Sequence, residues 1–200
     1  VDLFWQWLLE VSLLPVISTQ NIWKYSFRGV IIMSLINVKD LTFAYDGSYE
    51  NVFENTSFQI DTDWKLGFVG RNGRGKTTFL NILLGKYKYS GNITASVSFE
   101  YFPYEVEDKT KNTIEIFYDI CPNCEDWEFM REISLLEVDT DVLYRPFFTL
   151  SNGEQTKVLL AALFLVSNSF LLIDEPTNHL DENARKIVGD YLCRKKGFIL

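Results

Sequence analysis

Cysteine is scarce in this chain. Cys121, Cys124 and Cys193 are an odd number at no disulfide-framework spacing, which excludes a disulfide-stapled scaffold and favours a reducing cytoplasm. Cys121-Pro-Asn-Cys124 has the C-x-x-C spacing of a zinc or redox pair. No second ligand pair accompanies it, and the sole histidine, His179, lies far along the chain. We take these cysteines as packing residues. Positive charge is also in deficit: 19 Lys and Arg against 27 Asp and Glu leave a net charge of −8. That argues against binding nucleic acid through a broad basic face and leaves a local RNA contact open. No uninterrupted apolar run of about 18 residues occurs, so no transmembrane helix is expected. With 47% hydrophobic and 23% charged residues, the chain is globular, one domain with room for a small subdomain.

What is present is concentrated around Gly70–Thr78, Gly-Arg-Asn-Gly-Arg-Gly-Lys-Thr-Thr. It fits the P-loop pattern G-x-x-x-x-G-K-[ST] through Gly70, Gly75, Lys76 and Thr77. A glycine-rich turn without chemistry would also fit the letters. The context favours the P-loop: Trp64–Val69 before it is strand-like, and Phe79, Leu80, Leu83 and Leu84 after it have helical spacing. Glycines let backbone N–H groups wrap a polyphosphate, and the following helix adds its positive end. Asn72 and Gly73 lie in that wrap, beside Thr78 at its close. Lys76 would reach the β- and γ-phosphates, and the Thr77 hydroxyl would hold Mg²⁺.

Residues 1–32 read differently from the rest. Val1–Ser18 is rich in Trp and Leu but is interrupted by Asp2, Gln6, Glu10 and Pro15 and lacks a basic start. It is a poor signal peptide; an amphipathic anchor helix is one reading. The other is translated leader: Met33 opens at once into a strand pattern, and Arg28-Gly29-Val30 can be encoded by a purine-rich run resembling a bacterial ribosome-binding site. We expect residues 1–32 to be non-native leader and 33–200 to be the domain.

Alternating Leu35, Ile36, Val38 and Leu41 predict a half-buried strand, and Val52–Ile60 a second. Tyr45, before the Asp46-Gly47 turn, is a candidate to stack on a purine, or else an ordinary strand-end tyrosine. Gly91–Phe102 reads as a β-hairpin or strand pair. Helical spacing of Ile114, Phe117, Tyr118 and Cys121, then Phe129, Ile133, Leu136 and Leu143, suggests a small helical subdomain over about 105–149. Ser151 with Glu154 forms a capping box for a helix running to about Val166; such a helix start can also grip a phosphate. Ser169–Ile173 is a fully buried strand ending in Asp174-Glu175, where open α/β sheets place ligands. Asp174 suits Mg²⁺, and Glu175 is placed to polarise a water. His179 is read as orienting a loop, not as a base. Glu182–Lys196 is a final helix, and Gly197–Leu200 begins another buried strand.

These motifs in this order resemble the nucleotide-binding domain of the ATP-binding cassette (ABC) superfamily over about residues 34–200. Tyr45 resembles the adenine-stacking aromatic, residues 70–78 Walker A, and 150–155 the signature motif. Residues 170–175 resemble Walker B, and 178–181 the D-loop with Asn178 and Asp181. The run Glu175–Asp181 is similar to the ABC-F subfamily, twin-cassette ATPases that act on the ribosome. The P-loop and the Ser-Asn-Gly-Glu-Gln signature look like its Lsa-like antibiotic-resistance branch, which protects ribosomes from lincosamides, streptogramin A and pleuromutilins. Departures are Pro103-Tyr104-Glu105 where the family has a Q-loop glutamine, and Asn152 for the second signature glycine. The switch histidine, linker and second cassette are absent, as expected of a C-terminally truncated N-terminal cassette.

The resemblance implies an α/β P-loop fold of ABC type, with a small antiparallel β subdomain and a small helical one. ATP and Mg²⁺ would be its cofactors, a second cassette and the ribosome its partners, without membrane insertion. Lys76, Thr77, Asp174 and catalytic Glu175 would build one site; Ser151, Gly153 and Gln155 would serve the opposing one. Alone, this chain is expected to bind ATP with little turnover. A transporter ATPase subunit and an inactive truncated remnant are the rival readings.

Overall fold

The computed structural model describes residues 35–68, 75–178 and 180–200; the leader reading of residues 1–32 lies outside them. Two sheets share the work. Strands β1 (Leu35–Phe43), β2 (Phe53–Asp61) and β4 (Ser90–Thr94) form an antiparallel sheet in the order β2-β1-β4. Strands β3 (Lys65–Leu66), β5 (Ser98–Phe102), β6 (Ser169–Ile173) and β7 (Phe198–Ile199) form a parallel sheet in the order β3-β7-β6-β5. The expected hairpin over 91–102 is therefore corrected: β4 pairs with β1, and β5 leaves for the other sheet beside β6. Strand alternation was right, but alternation carries no information on partners.

Helix α1 (Lys76–Leu83) follows the P-loop. Helices α2 (Thr113–Ile120) and α3 (Asp126–Leu135), with two short 3-10 turns, fill the segment before α4 (Asn152–Leu163). The last helix is α5 (Glu182–Arg194). Helices α4 and α5 end a few residues earlier than the apolar periodicity suggests, at Leu163 and Arg194.

The parallel sheet is buried on both faces because its residues alternate between two cores. Leu171, Ile173 and Phe198 pack with α2–α5, whereas Phe170, Leu172 and Ile199 pack with α1 and the antiparallel sheet. Each large apolar side chain taken from water contributes about 1.5–3 kcal/mol. The helical and antiparallel parts thus lie on opposite faces of one sheet. Charge is segregated with them: residues 105–149 hold twelve acidic and four basic side chains, which equals the whole chain's −8.

Cys121 and Cys124 are joined as a disulfide between α2 and α3. The packing role expected of them was incomplete, because spacing in sequence does not show that the turn brings the two sulfurs together. Cys193 is free and exposed.

Candidate nucleotide site

The chain enters the site from the P-loop. Gly75 caps α1 with φ of 87°, a left-handed conformation that favours glycine. A Cβ there would also lie 2.7 Å from Val52 Cγ1, so the turn needs glycine on two counts. Gly70, Asn72 and Gly73 lie outside the described residues, as does His179. Past Gly75, Thr78 is buried and shares a 2.6 Å hydrogen bond with the Tyr45 hydroxyl. Tyr45, Gly75, Lys76, Thr77, Thr78 and Glu175 line one cleft of about 360 Å³.

Asp174 comes from the carboxyl end of β6, where its N–H donates to the Phe102 carbonyl at 2.9 Å. The Thr77 hydroxyl donates to Asp174 Oδ2 at 2.8 Å, across 97 residues of sequence. These are two hard oxygen donors beside the start of α1. Mg²⁺ suits such a place, since it takes one or two protein oxygens and completes its shell with phosphates and water. Glu175 follows in the left-handed region, φ 49°. For a non-glycine residue this stores strain of about 1–3 kcal/mol, which persists where surrounding contacts hold it. Asn178 is that contact: its Nδ2 donates to Glu175 Oε2 at 2.5 Å, and its N–H donates to the Glu175 carbonyl at 3.2 Å. Asp174, Glu175 and Asn178 also line, with Thr77, a second cleft of about 440 Å³.

The signature residues line neither cleft. Ser151 caps α4: Glu154 N–H donates to its hydroxyl at 3.3 Å, and Glu154 Oε2 accepts from Ser151 N–H at 2.8 Å and from its hydroxyl at 2.7 Å. Those donors hold the Glu154 carboxyl below its ordinary range, the Ser151 backbone N–H contributing most. The Ser151 hydroxyl thus already donates its hydrogen bond to Glu154 and must turn away to serve an anion. Gln155 Nε2 donates to the Phe147 and Leu150 carbonyls at 3.2 and 3.0 Å. Asp181 caps α5, accepting from Ala184 N–H at 2.7 Å.

Tyr101 was missed by sequence reasoning. Its hydroxyl donates to Asp174 Oδ2 at 3.2 Å, and burial, with the Asp174 charge and hydrogen bond, pushes its pKa up to about 12. Alternation with Phe99 along the strand carries no sign of a role in the site; its place one residue before the end of a strand entering the site was the available signal. Tyr87, which packs edge-on against Tyr45 at 5.8 Å, was missed too.

The profile of the ABC transporter family matches residues 53–178, more than half of the chain. The chain belongs to the ABC transporter family, as an ATP-binding domain. Membership implies ATP binding. The cassette is 33% identical over 170 residues to the zinc import ATP-binding protein ZnuC of Ehrlichia ruminantium, covering 80% of this chain and 69% of that one. It is 27% identical over 187 residues to ABC transporter F family member 5 of Arabidopsis thaliana, covering 88% of this chain and 26% of the relative. It spans about a quarter of the length of such long relatives, 26% in the plant protein. Among solved structures it resembles an ABC transporter ATP-binding protein from Pyrococcus furiosus, with TM-score 0.70 and 23% identity over 83% of this chain and 90% of the other. That likeness is one of fold. No helix among the described residues is long and apolar enough to cross a membrane.

Proposed function

We propose that this cassette binds and hydrolyses ATP as part of a ribosome-associated ABC-F protein of the cytoplasm, of the branch that confers resistance to lincosamides, streptogramin A and pleuromutilins. The observation that carries the ATPase reading is the Thr77–Asp174 hydrogen bond of 2.8 Å, which joins the P-loop helix to the acid ending β6. The relatedness to F-family proteins supports the subfamily. The drug spectrum rests on the resemblance of the P-loop and signature alone.

In this reading the N–H groups at the start of α1 and the Lys76 ammonium take the β- and γ-phosphates. Thr77 and Asp174 supply oxygens to Mg²⁺, which when bound neutralises phosphate charge. Glu175, its carboxylate steadied by Asn178, orients the attacking water. Ser151 and Gly153 serve the site of a second cassette, so this chain alone binds ATP but turns it over slowly. Catalysis is positioning and charge stabilisation.

The test is Glu175→Gln in the full-length protein. It should lose nearly all hydrolysis, keep ATP bound, and accumulate on ribosomes in sucrose gradients. Turnover at the wild-type rate would remove Glu175 from the reaction. Sedimentation with membranes would favour a second reading, the ATPase subunit of a transporter, which the 33% identity to a zinc import ATPase supports.

A further inference from the structure

The functional reading above leaves Tyr101 without a task, yet Tyr101 touches the centre of the site. It stands on β5 opposite Leu172 of β6. Its hydroxyl donates to Asp174 Oδ2, the same oxygen that accepts from Thr77. Main chain adds a second tie between these strands, from Asp174 N–H to the Phe102 carbonyl. The acid is thus held from β5 at both backbone and carboxylate. On its other side the Tyr101 ring carries the Lys86 ammonium 5.1 Å from its centroid, a cation–π contact. Lys86 follows the turn that closes α1. One side chain therefore links the end of the P-loop helix, strand β5 and the acid after β6.

We infer that Tyr101 is a positioning residue for the divalent cation: its phenol sets the orientation of the Asp174 carboxylate by committing Oδ2 to two hydroxyl donors, Tyr101 and Thr77. The inference rests on the nucleotide-binding reading of the same site. A phenol is suited to the task because its hydroxyl donates from a ring whose place is fixed by the strand and by the Lys86 contact. Phenylalanine would fill the same space and keep the Lys86 contact while releasing the carboxylate to rotate. The two properties of the residue, packing and donation, can therefore be separated by one atom.

The experiment compares the wild-type chain with Tyr101→Phe, using a fluorescent ATP analogue titrated in EDTA and then with increasing Mg²⁺. Losing a hydrogen bond to a charged group should raise the half-saturating Mg²⁺ concentration about tenfold. Affinity in EDTA should stay within about twofold, because the phosphate-binding groups are untouched. An unchanged Mg²⁺ requirement overturns the inference. Equal losses with and without Mg²⁺ also overturn it, since Tyr101 would then only shape the cleft. A wild-type chain that binds no nucleotide under either condition overturns the nucleotide reading itself, and the inference with it.

Discussion

Tyr45 is held in place before any base arrives. Its ring meets Phe43 edge-on at 5.1 Å and Tyr87 edge-on at 5.8 Å, while its hydroxyl is fixed on Thr78 at 2.6 Å. Even so, 45% of the residue stays exposed on the cleft. A flat ring ordered in this way loses little entropy on stacking, and base–aromatic stacking contributes about 1–3 kcal/mol. Tyr45→Ala should therefore weaken ATP binding about tenfold or more and leave inorganic tripolyphosphate binding unchanged. Calorimetric titration with both ligands decides it. Equal losses would make Tyr45 a support for α1 and not a base platform.

At the scale of elements, the tightest constraint lies away from the site. Strand β1 bulges between Lys39 and Thr42 where it pairs with β4, and Asp40 there adopts φ of 53°. Gly91 of β4 passes this bulge so closely that a Cβ would lie 2.5 Å from the Asp40 carbonyl and 2.6 Å from that of Lys39, at φ of 105°. Backbone cannot yield as a flexible side chain can. Gly91→Ala should destabilise the chain by about 2–3 kcal/mol in urea denaturation; a change below about 0.5 kcal/mol would mean that the bulge relaxes freely. Nothing in the letters announced this contact, because it depends on which strands pair. The same limit explains what else was legible. The capping box at Ser151, the apolar run ending in Asp174 and the glycine before α1 are local signals, and each appears where expected. The placement of β4 and β5 in different sheets and the Tyr101–Asp174 bond depend on distant segments meeting, which periodicity does not encode; the Cys121–Cys124 bridge is local, but it depends on the conformation of the turn between the two residues.

At the scale of the molecule, one carboxylate among the described residues is buried. Glu132 of α3 is 2% exposed, and it accepts from the Tyr191 hydroxyl at 2.6 Å and from Arg131 at 2.9 Å, besides pairing with Lys195. It thereby ties the helical segment to α5. Burial alone would raise its pKa. The hydrogen bonds from Lys195, Tyr191 and Arg131, with the Lys195 charge, outweigh burial and hold it below its ordinary 4.5. A carboxyl lowered in the folded state stabilises that state fully above pH 4.5, and the contribution fades as pH falls through the lower folded value. Glu132→Gln should cost about 2–3 kcal/mol at neutral pH, less than for a fully buried pair because Arg131 is half exposed. It should also flatten the acid limb of the stability curve. An acid limb identical to wild type would assign that sensitivity to other carboxylates.

The charge segregation described for residues 105–149 makes the protein an electric dipole as well as an anion. Among the other described residues the charges nearly cancel, so one face of the parallel sheet carries most of the excess there. Near a polyanion such a body feels a torque as well as a repulsion, and turns its acidic pole outward. Approach to a phosphate-rich surface is then pre-oriented, with the antiparallel side leading. The turning force reaches only about 10 Å at 0.1 M salt, so the order of first contacts is set by ionic strength before any specific bond has formed.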